Sequence, residues 1–459
     1  MNNDFHALAD ELAADITSGR LAPGTRLPPQ RAFAYQRGIA PSTAGRVYGE
    51  LVRRGLVSGE VGRGSYVRAA PWPVGPALAE PAAAPVDMET NYPIVPEQPG
   101  LLAPVLAMLA ARPDVLANAL AATSVRGTAA SRQAVMAWSG LPTAPLFAAH
   151  GRAGLAACFS ALVPVGARVG FEAQTYPVAR AIAQRLGVVL VPLAMDGEGV
   201  VPDAIEAAHK AGPLRAIYLQ PTLHNPLGVS MPVSRRAEIA RLLTRLNGPV
   251  VIEDRVYAFL DDQAPPPLAS FAPEHVVVVD SLSKRIAPGL TLGMVFAPDH
   301  LAEPIAKALA SGAWGVSGFA LEACTRWLGD GTVAKLEAAK RADARARQAL
   351  ATKAFEGLSL RASPAAYHLL LDLPAPWRAD EFAQAAGALG IAITPASAFT
   401  VTPGAAPNAV RLALAPPSLA VLASSLKTLA QLAGKHQAVL RNDGPKAAWP
   451  HLSCPKMPT

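Results

Sequence analysis

A chain of 459 residues, 51% hydrophobic and 16% charged, carries the apolar content of two or three packed domains, which excludes a single small module or a wholly disordered chain. No apolar run reaches the roughly 18 residues of a bilayer span, so neither a membrane-embedded protein nor a membrane partner is expected. The formal charge of +7 is concentrated: between Gly19 and Arg68 stand nine arginines against two acids, Glu50 and Glu60, and 9 − 2 = +7 is the whole excess. Such a footprint suits a small module that meets a polyanion. Cys158, Cys324 and Cys454 are too far apart for a paired metal-ligand spacing and too few for a disulfide framework, so no metal is expected. Met1 to Asp15 lacks the basic-then-apolar pattern of a secretory leader, and a cytoplasmic location is expected.

Phe5, Leu8, Leu12 and Ile16 recur at helical spacing and stop at Ser18-Gly19. After the Pro23-Gly24 turn, a short helix is expected from Pro29 to Gln36 and a third from Ser42 to Arg54. The third places Ala44, Val47, Tyr48, Leu51 and Val52 on one face, with Tyr48 in the core, and Thr43, Arg46, Glu50 and Arg53 on the other. Leu56 to Ser58 and Ser65 to Val67 read as two strands of a hairpin with Arg63 between two glycines at its tip. Three helices and a two-stranded wing make a winged helix-turn-helix over residues 1–68. Ser42, Thr43 and Arg46, in the first turns of the third helix, are placed to meet bases of double-stranded DNA in the major groove. Arg31 is expected on the backbone, and Arg63 in a minor groove.

Residues 69–86 are mostly Ala and Pro and read as a semi-stiff linker. Beyond it, β-branched runs at Arg168 to Phe171, Val188 to Val191, Ala216 to Leu219, Val250 to Ile252 and Val276 to Val279 alternate with helical stretches. That alternation predicts an α/β fold with a mostly parallel sheet covered on both faces. From Arg361 a smaller α+β portion closes with a helix from Leu419 to Leu432, so this domain covers 87–434, and a polar, proline-containing tail over 435–459 reads as disordered.

Ligands of such sheets bind at the C-terminal strand ends. Three consecutive ends carry Gln220 to Gly228 with Asn225, then Glu253-Asp254 with Tyr257, then Asp280-Ser281-Leu282-Ser283-Lys284. An amide, a carboxylate beside a phenol, and a lysine beside two hydroxyls meet the needs of pyridoxal 5′-phosphate: an amine for the aldehyde, an acid for the pyridine nitrogen, donors for the phenolic oxygen and phosphate. In Asn225-Pro226-Leu227-Gly228, Asp254-x-x-Tyr257 and Ser281-Leu282-Ser283-Lys284 the chain resembles the fold type I aminotransferases. Pro23-Gly24, Leu27-Pro28, Arg31, Ser42-Thr43 and Gly62-Arg63-Gly64 look like a GntR-type winged helix, so the whole, about residues 4–434, resembles the MocR group of regulators.

The resemblance implies that Lys284 is the Schiff-base lysine, Asp254 the pyridinium partner, Asn225 and Tyr257 the phenolic-oxygen ligands, and Tyr176 the ring-stacking residue. It assigns the phosphate to Ser281 and Ser283 with the amides around Gly151, Arg152 and Ala153 up to Gly154, and an α-carboxylate to Arg411. It also implies a homodimer. Three positions depart from the family's pattern: Thr291 stands where an arginine usually neutralises the phosphate, with Arg285 as a possible substitute, Ala153 where a glutamine is usual, and no tyrosine lies near Ala122. Plainer readings stand beside these: Arg411 as a salt-bridge partner, Tyr176 as a core aromatic, Arg46 and Arg53 as solvated side chains. His150 and His224 are assigned no role. The expected function is a pyridoxal-phosphate-dependent transcriptional regulator that senses an amino compound or the cofactor, and not primarily an enzyme. The alternatives are an active aminotransferase with a fused DNA-binding module and a cofactor-binding dimerisation scaffold.

Overall fold

The computed structural model describes residues 5–17, 20–21, 25–54, 56–60, 64–67, 84–246, 248–312, 316–402 and 404–441. Three helices, α1 (Phe5–Thr17), α2 (Gln30–Arg37) and α3 (Pro41–Arg53), precede an antiparallel pair, β1 (Val57–Glu60) and β2 (Gly64–Val67). Gly38 closes α2 in the left-handed region at φ 63°, and Pro41, with its φ already helical and no N–H to satisfy, opens α3. Leu12, Leu27, Phe33, Val47, Leu51, Val57 and Val67 form the core of this module. Tyr48 joins them, its hydroxyl donating to the Pro28 carbonyl at 2.6 Å. Glu50, expected on the exposed face, is buried because Arg54 folds back onto it at 2.7 Å. The wing tip with Arg63 and most of the linker lie outside the described residues.

The main sheet holds seven strands: β3 (Pro145–Ala148), β4 (Arg168–Glu172), β5 (Val189–Leu193), β6 (Leu214–Leu219), β7 (Val250–Asp254), β8 (Val276–Ser281) and β9 (Gly293–Phe296). Their order is β3-β9-β8-β7-β6-β4-β5, and β9 alone runs antiparallel to its neighbours. The sequence reading found the five strands from β4 to β8 and missed β3 and β9. Alternate residues of β8 serve two different cores: Val276 and Val278 pack with Trp327 and Phe296, Val277 and Val279 with Phe159 and Tyr218. Helices therefore cover both faces, which is why the strands read as unbroken apolar runs. One of these helices, α4 (Gly151–Leu162), follows β3 directly.

A long helix, α5 (Thr332–Ala354), leads from the large portion into the small one. There β10 (Leu360–Ala362), β11 (His368–Asp372), β12 (Thr394–Pro395) and β13 (Ala409–Ala413) form an antiparallel sheet in the order β10-β11-β13-β12, packed with α6 (Ala379–Ala388) and α7 (Leu419–Arg441). Two boundaries differ from expectation. The last helix continues to Arg441, into the stretch read as a tail, because Lys435 to Arg441 contains no proline or helix-breaking glycine. Val86–Asp87, placed at the end of the linker and start of the large domain, pairs with Ile391–Ala392, so the chain enters through the small portion. Among the described residues no single helix is long and apolar enough to cross a membrane.

Tyr48→Phe keeps the ring and deletes only the hydroxyl, leaving the Pro28 carbonyl without that donor. Thermal or urea unfolding should show a loss of about 1 kcal/mol with the fold retained.

Candidate functional site

The C-terminal ends of β6, β7 and β8 and the start of α4 surround a cleft in which polar and apolar side chains converge. Asp254, Tyr257, Tyr176, Gly151, Arg152, Ser281, Ser283 and Lys284 all line it. Residues scattered over more than a hundred positions thus converge as the strand-end argument requires.

The Lys284 amine lies 3.4 Å from the centre of the Tyr92 ring and 5.9 Å from that of Tyr257. Burial drives its pKa well below the usual lysine range, Arg152 and Arg411 add to the fall, and Asp254 opposes it. A lysine biased toward its neutral form in this way is better prepared to act as a nucleophile. Asp254 accepts from the Tyr218 hydroxyl at 2.8 Å and the Val256 amide at 3.1 Å. Burial nevertheless pushes its carboxyl up to about 6, beyond what those hydrogen bonds recover. Tyr257 receives a bond from Asn91 Nδ2 at 3.3 Å.

At the other end, Ser281 Oγ shares a hydrogen bond with Thr291 Oγ1 and accepts the Ser283 amide, both at 3.2 Å. Two glycines allow this crowding. A Cβ on Gly151 would lie 3.1 Å from that of Ser281, and one on Gly293 would fall 2.5 Å from the His150 carbonyl. His150 caps α4, taking the Ala153 amide on Nδ1 at 3.0 Å, so that amide is already engaged. The Gly151 and Arg152 amides stand at the open end of the helix, where an anion is favoured.

Several groups were not foreseen. The Arg152 side chain, considered only for its backbone, reaches over the cleft and donates to Tyr176 OH and Tyr92 OH, each at 3.2 Å. Tyr92 and Asn91 arrive on the segment that enters through the small portion. Their signal was the string Asn91-Tyr92-Pro93 just beyond the Ala/Pro stretch. Gln220 lines the cleft with its Oε1 unpartnered among the described residues. His224 is buried 3.2 Å from Glu172, away from the lining.

Three expectations sit differently. Arg285, the substitute for the cation missing at Thr291, is bound by Asp280 at 2.6 Å and Glu337 at 2.8 Å between Trp138 and Phe259, and does not line the cleft. Its one-residue offset from Lys284 turns it to the opposite side of the chain. Asn225 is buried behind the lining, its Oδ1 unpartnered among the described residues. Arg411, also off the lining, donates to the Glu89 carbonyl and to Thr394 Oγ1 at 3.3 Å, with its Nε unpartnered. On the N-terminal module Ser42, Arg46 and Arg31 are exposed and Thr43 half-buried. The Arg46 guanidinium rests 3.8 Å from the centre of the Phe5 ring.

Residues 107–429 match the aminotransferase class I and II family, and residues 6–67 the gntR family of bacterial regulatory proteins. The chain belongs to the aminotransferase class I and II family and carries a GntR-family module at its front. This is the MocR-type arrangement. An uncharacterized HTH-type transcriptional regulator of Bacillus subtilis, YdeF, is 30% identical over 93% of this chain and 94% of its own length. The vitamin B6 salvage pathway transcriptional repressor PtsJ of Salmonella typhimurium is 26% identical over 62% of this chain and 66% of its own. Among solved structures, an archaeal alanine:glyoxylate aminotransferase superposes with a TM-score of 0.70 at 21% identity, over 76% of this chain and 90% of that one. That likeness establishes the fold type I architecture of the aminotransferase-like domain.

A carboxyl whose pKa rises on folding stabilises the folded state at low pH and loses that contribution as pH climbs through its folded value. The difference in unfolding free energy between the cofactor-free protein and Asp254→Asn should therefore fall, to the disadvantage of the parent, by on the order of 3 kcal/mol from about pH 4 to above pH 6. Paired denaturation curves across that range measure it, and parallel curves would show that Asp254 titrates normally.

Proposed function

We propose that this protein is a DNA-binding transcriptional regulator whose aminotransferase-like domain binds pyridoxal 5′-phosphate at Lys284 and responds to a small amino compound. The observation that carries the proposal is one cleft joining a depressed lysine, a buried carboxyl and a helix N-terminus, in a chain that also carries a GntR-family module. The donor set fits the group, since the unpartnered Gln220 Oε1 in the lining and Asn225 Oδ1 behind it leave polar capacity in the site. Bound there, pyridoxal phosphate supplies an aldehyde for a primary amine and a pyridine ring that withdraws electrons.

The chain's own residues then have distinct tasks. Lys284 offers a neutral amine. Asp254, once ionised, would hold a proton on a pyridine nitrogen brought beside it, and Tyr257, fixed by Asn91, would offer its hydroxyl to a ring oxygen. The hydroxyls of Ser281 and Thr291 and the first amides of α4 take the phosphate, with Arg152 as the guanidinium that lines the cleft. Arg411 keeps its Nε without a partner among the described residues, so it has a donor to offer an α-carboxylate while its bond to the Glu89 carbonyl ties it to the entering segment 86–92.

A route from that segment toward DNA supports a regulatory reading over simple turnover. β13, which bears Arg411, packs with α6. Just ahead of α6, Arg378 donates to Asp10 of α1 at 2.9 Å, and Asp10 also accepts from Arg54, at the end of α3, at 2.7 Å. These are partly exposed pairs, each worth roughly 0–1 kcal/mol, a joint weak enough to open and close. Two-fold pairing of the chain, implied by its family, would place two such modules on repeated half-sites.

Purified protein given pyridoxal phosphate should be yellow, and Lys284→Ala should abolish the borohydride-trapped adduct. Trapping at another internal lysine would refute the assignment. Measured alongside operator binding, catalytic amino-group transfer with no change in operator affinity would favour the aminotransferase alternative.

Arg46→Ala should relax base preference, whereas Arg31→Ala should weaken all sequences alike and lower the salt slope by roughly one. A binding series at several salt concentrations separates the two effects. If neither substitution alters affinity, preference or slope, the basic face is a solvated surface.

A further inference from the structure

Lys340 is a lysine with no exposed surface. It stands on α5, and its ammonium donates to the backbone carbonyls of Lys284 at 3.0 Å and Ile286 at 2.9 Å. One turn earlier on the same helix, Glu337 accepts from Arg285 Nε at 2.8 Å. Three consecutive residues, 284, 285 and 286, are thus each held by one face of α5: the first and third through their carbonyls, the second through its side chain. The i, i+3 spacing of Glu337 and Lys340 makes this possible, since both project from that face.

Burying an ammonium is costly, and two neutral carbonyls are modest compensation. Burial lowers its pKa to about 7, with Asp343 opposing and Arg285 assisting the fall. A methionine would fill the same volume without that cost, so packing alone does not account for a lysine here. The Tyr367 hydroxyl bridges the Lys340 carbonyl and Asp343, each at 2.8 Å.

We propose that Lys340 is a positioning residue for Lys284: gripping the carbonyls of residues 284 and 286, it fixes where the Lys284 side chain leaves the backbone and hence where its amine stands in the cleft. The inference deepens the cofactor reading above and rests on it for its significance, although the positioning itself is a property of the cofactor-free chain. Because α5 continues into the small portion, the same grip links the orientation of Lys284 to movement of that portion.

The test uses the full chain with Lys340→Met, which keeps length but no donors, and Lys340→Arg, which keeps charged donors. In cofactor-free protein, labelling of Lys284 by a small amine-directed electrophile is followed against pH by peptide mass. With pyridoxal phosphate added, the rate of borohydride-trapped adduct formation and the visible circular dichroism of the bound group are measured. Far-UV circular dichroism and thermal unfolding establish that each variant is folded. The methionine variant should shift the Lys284 labelling profile, weaken the visible dichroism and slow adduct formation roughly 10- to 100-fold, as expected for a reactive group displaced by about 1 Å. The arginine variant should recover most of each. A folded methionine variant with unchanged labelling and dichroism overturns the proposal, as does an equal loss in both variants. Should the methionine variant not fold, Lys340→Gln, with neutral donors, is read against the same outcomes. Failure of the cofactor reading shows up separately, as no Lys284-dependent trapping while the labelling shift persists.

Discussion

A parallel sheet buried on both faces can display polar chemistry only where its strands stop. Every side chain along β8 enters one apolar core or the other until Asp280 and Ser281, and the same holds for β7 until Glu253 and Asp254. Groups that must be partly dehydrated and still reachable by a ligand are confined to that edge. The cleft, its carboxyl, its hydroxyls and its lysine all follow from this confinement. The N-terminus of α4 joins them because β3, next to β9 in the sheet, delivers it to the same edge.

Confinement sets the electrostatics. In the cleft burial lowers the pKa of the lysine and raises that of the carboxyl, so both lean toward their neutral forms. Neither group finds its best partner within the protein. A ligand bringing an aldehyde, a basic ring nitrogen and a phosphate would complete three mismatches at once. Arg285, paired internally with Asp280 and Glu337, stays off the cleft lining and stiffens the turn that carries Lys284.

The two modules are joined by polar contacts rather than a shared core. The buried apolar residues of α1 to α3 cluster among themselves. Among the described residues, the contacts between the modules include the pairing of Asp10, itself held by Arg54, with Arg378, and His6 beside Glu381 at 3.5 Å. An interface of this kind is sensitive to small movements of α6 and to salt, as suits a module that must also meet DNA.

Much of this organisation was legible in the chain itself, because it depends on local periodicity and on strings short enough to read. The basic segment with its three helical repeats determined the DNA-binding module. The β-branched runs determined the parallel strands, and Asn225, Asp254, Tyr257, Ser281 and Lys284 lay at ends those runs marked. Strands β3 and β9 escaped notice because Pro145 to Ala148 and Gly293 to Phe296 hold only one β-branched residue between them, Val295, and so lack the signal that marked the other strands. Only the tertiary structure decided where side chains on distant segments meet. It brought Tyr92 and Arg152 over the cleft and Asn91 onto Tyr257, turned Arg285 away, and buried Lys340 against the backbone of Lys284. Direction and proximity of this kind arise from packing between elements far apart in the chain, and no local pattern encodes them.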